Sequence, residues 1–116
     1  MRKEGQKMAL TINIYYSGKG GAARAFVEEM MSSKTVDKIR AEEGNLRYEY
    51  FLPVEGTDTV LLIDSWENQE ALDLHHRSEM MKTIAKLREK YDLHMRVEQY
   101  VSNPSENNSE KDFIRD

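Results

Sequence analysis

Thr59-Val60-Leu61-Leu62-Ile63-Asp64-Ser65-Trp66 is the stretch of the 116-residue chain on which its architecture turns. Four successive apolar residues, Val60 to Ile63, leave neither face of an extended segment polar, so this strand belongs in the middle of a sheet. Upstream lie Pro53, Gly56 and Asp58, turn residues that make a hairpin with the alternating stretch Asn45–Leu52. Further upstream, Met8–Tyr16 alternates Leu10, Ile12, Ile14 and Tyr16 with Thr11, Asn13 and Tyr15, which predicts another strand. Ser17 to Gly21 breaks it. A helix follows over Ala22–Glu43, with Phe26, Val27, Met30 and Met31 on one face and a phase slip at Ser32-Ser33-Lys34 that predicts a break. Gly44 is placed to stop it. Downstream, Asn68 is a helix N-cap, Glu79–Tyr91 is a second helical segment, and Leu93–Val101 alternates as a last strand.

The order β-α-β-β-α-β predicts an α+β, ferredoxin-like split βαβ sandwich: four antiparallel strands with the helices on one face. The outer strands set Leu46, Tyr48, Tyr50 and Leu52 against Arg47 and Glu49, and Leu93, Met95 and Val97 against His94, Arg96 and Glu98. The central strands are uncharged or apolar on both faces, yet helices bury only one. A second copy packed sheet against sheet supplies the missing cover, so a homodimer is expected. The domain spans residues 8–102, between a loose polar arm over 1–7 and a polar tail over 103–116.

Seventeen basic against twenty-one acidic residues give a net charge of −4, which argues against binding nucleic acid or an anionic membrane. No cysteine is present, which removes disulfides, thiolate metal sites and thiol nucleophiles. No apolar run is long enough to span a membrane and no signal peptide is visible, so the cytoplasm is the expected location. Gly18-Lys19-Gly20-Gly21-Ala22-Ala23 matches a dinucleotide-binding pattern, but a hairpin rather than a parallel crossover follows, so it reads as a flexible turn. Amides at that helix start, with Lys19, have the chemistry to hold a phosphate. His75 and His76 are adjacent and diverge on a helix. His75 with Glu79 and Asp64 is too thin a set to argue for a metal.

Asp64 stands out as a carboxylate on an apolar face, sharing parity with Leu62 and Trp66. Asn13 is a polar amide in a central strand. Together with Tyr48 and His75 they suggest a mostly apolar pocket between sheet and helices with a few aimed polar groups.

Glu42-Glu43-Gly44-Asn45-Leu46-Arg47-Tyr48, then Asp64-Ser65-Trp66, then Glu70-Ala71-Leu72-Asp73-Leu74-His75 resembles the antibiotic biosynthesis monooxygenase domain superfamily. That resemblance, covering Met8 to Val101, implies a dimeric α/β barrel and a small-molecule substrate. It implies first a quinol-type monooxygenase that needs no metal, flavin or haem, because an electron-rich substrate activates dioxygen itself. His75 would then be the base, Asn13 a donor and Trp66 a wall, with Tyr48, Asp64, Leu62 and Arg47 contacting substrate. Leu62 stands where some polyketide members carry asparagine. Haem-degrading relatives place their ligating histidine where this chain has Thr83-Ile84-Ala85, so haem is not expected. An isomerase of a phosphorylated autoinducer-type hydroxyketone has a similar Glu42–Arg47 stretch and would need a phosphate grip, with Lys19 and Arg47 as candidates. A non-catalytic small-molecule-binding dimer is the third reading.

Overall fold

A computed structural model describes residues 9–56 and 58–102; the expected arm and tail lie outside them. The elements run β1 (Leu10–Ser17), α1 (Ala22–Ser32), α2 (Thr35–Arg40), β2 (Asn45–Phe51), β3 (Thr59–Trp66), α3 (Gln69–His76), α4 (Glu79–Lys90) and β4 (His94–Val101). The four strands form one antiparallel sheet in the order β2-β3-β1-β4, which is the ferredoxin-like arrangement. The expected helical break falls at Ser33-Lys34, where Lys34 adopts a left-handed φ of 67°. Asn68 caps α3 by accepting the Ala71 N–H at 2.9 Å.

Register fixes the two faces. Leu10, Ile12, Ile14 and Tyr16 of β1 pair with Trp66, Asp64, Leu62 and Val60 of β3. Tyr48 and Tyr50 of β2 pair with Asp64 and Leu62. All of these face the helices, and with Phe26, Met30, Val36, Ile39, Leu72, Ile84 and Leu87 they make the core. The opposite face carries Thr11, Asn13, Tyr15, Leu61, Ile63, Ser65, Arg47 and Glu49.

Two expectations from patterning need correction. Leu46 does not join the apolar face of β2: the register slips between Asn45 and Arg47, and the extra residue is exposed. A β-bulge of this kind leaves one residue unpaired and re-aims it. Met95 and Val97 of β4 have the helix-side parity, opposite Tyr16 and Ile14, yet are exposed. The helices pack over β1, β2 and β3 and leave this edge strand bare.

Candidate active site

The interior beside the C-terminal end of β3 gathers the polar groups that the sequence marks. Trp66 is fully buried, Asp64 is 5% exposed and His75 is 2% exposed. Alternation puts Asp64 and Trp66 on the same side of β3, and the indole Nε1–H donates to Asp64 Oδ1 at 2.7 Å. The His75 imidazole stacks on Trp66, centroids 4.6 Å apart and planes 28° from parallel. Its Nδ1 lies 2.9 Å from Glu42 Oε2. The Tyr48 ring closes another side, edge-on, 6.4 Å from His75.

Low dielectric sets the charges here. Burial pushes the Asp64 carboxyl up to about 7; the Trp66 N–H opposes this and the Glu42 charge adds to it. Burial pulls the His75 imidazole below its ordinary value, opposed by its bond to Glu42. Near neutral pH the His75 imidazole is therefore neutral, and the Asp64 carboxyl titrates close to that pH. Burial also raises Tyr16 to about 12 and holds Tyr48 and Tyr50 well above the usual phenol, so all three stay protonated. The Tyr50 hydroxyl is buried without a hydrogen-bond partner among the described residues. Tyr50 also borders a cleft of about 450 Å³ between α1 and the β2 edge, walled by Val27, Met31, Phe51 and Leu52 and flanked by Arg24 and Arg40.

The sequence profile of the antibiotic biosynthesis monooxygenase family matches residues 9–87, well over half of the chain. The chain belongs to that family. Among proteins of curated function none matches it. Solved structures share the fold. One from Pseudomonas aeruginosa is 22% identical, covering 84% of this chain and 96% of its own, with a TM-score of 0.72. A conserved protein of Methanosarcina mazei is 20% identical over 83% and 94%, TM-score 0.70. SnoaB of Streptomyces nogalater, described as a cofactor-independent oxygenase, is 12% identical over 84% and 96%, TM-score 0.68.

In this antibiotic biosynthesis monooxygenase domain, then, His75, Trp66, Tyr48, Asp64 and Leu62 meet on the helix side of the sheet. Asn13 does not. It pairs with Ile63 and Glu98, an odd position on β1, and faces away from Trp66. Arg47 is excluded for the same reason: it pairs with Ser65 on the outer face and its guanidinium is engaged by Glu49. Nor do Lys19 and Arg47 form a phosphate grip. Arg47 lies level with Thr11 through Ser65, whereas Lys19 follows Ser17, so about six residues of strand, roughly 20 Å, separate the two ends. At the start of α1 the Asp58 carboxylate already accepts the Gly21 N–H, at 3.3 Å, where an anion would have to sit.

Sequence reasoning missed three contributors. In the sequence Glu42 shows only as part of a motif without a partner, Tyr50 only as an apolar-face residue, and nothing marks Arg40. Arg40 donates from Nε and Nη2 to the Tyr48 carbonyl at 3.0 and 2.8 Å, which ties the exposed edge of β2 to α2. Among the described residues no three His, Asp or Glu side chains are grouped to hold a metal. No helix there is long and apolar enough to cross a membrane.

Proposed function

We propose that this chain is a cofactor-independent monooxygenase that oxidises a small electron-rich aromatic, a quinol or polyketide-like phenol, with dioxygen. What supports the reading is the buried His75 imidazole, stacked on Trp66, faced edge-on by Tyr48 and held at Nδ1 by Glu42, in a monooxygenase-family fold. In this reading His75, neutral near pH 7, is the base. Its Nε2 takes the phenolic proton, and the resulting anion gives one electron to dioxygen; the two radicals combine as a peroxide on the ring carbon. The imidazolium returns the proton to that peroxide. His75, neutral again, then takes the remaining proton from the oxygenated carbon, which breaks the O–O bond, and the departing hydroxide is protonated to water. The substrate loses two hydrogens, one from its hydroxyl and one from the ring carbon, gains one oxygen, and supplies all four electrons that reduce dioxygen. Asp64, protonated up to about pH 7, is the donor for the departing hydroxide.

Tyr50 lines the 450 Å³ cleft and packs edge-on against Tyr48, which packs edge-on against His75, so substrate entering there must displace both rings. The functional unit is a homodimer closed through the outer sheet face, where Leu61, Ile63 and Tyr15 remain partly exposed within one chain. Oxygen-electrode assays on a panel of hydroquinones, dihydroxynaphthalenes and anthrones test the proposal, with ¹⁸O₂ to follow the transferred atom. One labelled oxygen in product with no added metal or flavin is the expected result. Phosphorylated hydroxyketones, assayed for isomerisation alongside, should not react. Binding of the whole panel with no oxygen uptake would make the domain a carrier instead.

A further inference from the structure

We infer that Glu42 is the positioning residue of the site, holding the His75 ring by Nδ1 so that Nε2 is its basic nitrogen. The inference deepens the monooxygenase reading and rests on it for the role of His75. The two residues are 33 positions apart, and the contact is built by the backbone between α2 and β2. Gly44 has φ of 87°, and a Cβ there would lie 2.4 Å from the Ala71 Cβ. Only glycine lets this turn lie flat on the first turn of α3. The Glu67 N–H donates to the Gly44 carbonyl at 2.8 Å and fixes the approach. Ala71 and His75 are four residues apart on one helix face, so pressing Gly44 onto Ala71 brings Glu42 to His75 one turn further on. The Glu–x–Gly and Ala–x–x–x–His segments of the sequence are thus two halves of one joint.

The joint leaves the imidazole little freedom. Trp66 stacks on its face and Glu42 holds Nδ1 at 2.9 Å. A carboxylate accepts hydrogen bonds and does not donate them, so the neutral ring carries its proton on Nδ1. The lone pair is then on Nε2, the ring nitrogen that Glu42 does not hold. Every other group facing the ring is weaker in this respect. Tyr48 from β2 is an edge-on phenol held protonated by burial. His76 on the same helix is exposed and repels a second charge. Asp64 is engaged by Trp66.

The test is ¹⁵N NMR of His75 in the full chain, beside kinetics, for the wild type, Glu42→Gln and Glu42→Ala. The wild type should show the Nδ1–H tautomer. Glu42→Gln keeps an acceptor and loses the charge, so His75 should keep its tautomer and titrate at lower pH. Glu42→Ala should mix the tautomers and lower kcat roughly 10–100-fold with KM little changed, with partial recovery in Glu42→Gln. A His75 tautomer and titration identical in wild type and Glu42→Gln would overturn the inference, and that reading needs neither activity nor the Ala variant to fold. If no substrate is oxidised while the NMR changes appear as stated, the monooxygenase reading fails and the positioning role stands.

Discussion

The Trp66 indole N–H donates to the Asp64 carboxylate 2.7 Å away, with both residues on the buried face of one strand. A carboxyl this far from water titrates at about 7 instead of 3.8. The folded chain holds that proton more tightly than the unfolded one, so this residue lowers folding stability as pH rises from about 4 to about 7, then levels off. The loss is on the order of a few kcal/mol. Asp64→Asn keeps an acceptor for Trp66 without a charge to desolvate. Urea unfolding between pH 4 and pH 8 should find the variant more stable than wild type at pH 8, with the gap closing toward pH 4. Parallel curves would show that Asp64 is not the buried titrating group.

Most of the scaffold was legible because periodicity reports burial directly. The double-faced run Val60–Ile63 marks a central strand, and the phase slip at Ser33-Lys34 marks the break between α1 and α2. Parity also contained the error over Asn13. Its odd position put it opposite Ile12 and Ile14, and grouping it with Trp66 required ignoring that rule. Leu46 was illegible for a different reason: a bulge is set by how two strands pair, and neither strand encodes it alone. The Glu42–His75 contact depends on a backbone approach made by Gly44, which spacing cannot reveal over 33 residues. Asp64 was noticed as a misfit on an apolar face, and misfits of that sort are where sequence patterning points to chemistry.

His75 and His76 provide an internal control. One is buried against Trp66 and Glu42, and its neighbour is exposed. His75→Ala should reduce turnover roughly 10²–10⁴-fold, the usual worth of a general base, while His76→Ala should change it little. Circular dichroism on both variants separates loss of chemistry from loss of fold. Equal losses in the two would remove His75 from the mechanism.

Gly44→Ala attacks the joint from the other side. The new methyl meets Ala71 and the backbone must hold φ of 87°, a left-handed conformation unfavourable for L-residues. Overpacking and backbone strain together should cost roughly 2–4 kcal/mol, read as a lower urea midpoint with unchanged slope. Gly56→Ala is the comparison. It also has positive φ, at 86°, but nothing lies within 4 Å of its added methyl, so it should cost clearly less.

Ile63 tests the proposed homodimer. It sits on the outer face of the sheet between Asn13 of β1 and Glu49 of β2, partly exposed in a single chain. Beside it the Asn13 Oδ1 is buried with no partner among the described residues, an acceptor that a second copy could satisfy. A carboxylate introduced here would remain solvated in a monomer. Pressed between two sheets, next to Glu49 and its own symmetry mate, it would be desolvated and repelled. Ile63→Asp should therefore abolish the dimer while leaving the fold, because the helix-side core is untouched. Sedimentation velocity at micromolar concentration should find a dimer for the wild type and a monomer for the variant, with matching circular dichroism spectra. A monomeric wild type at that concentration would sink the homodimer. A variant that stays dimeric would move the interface off this face.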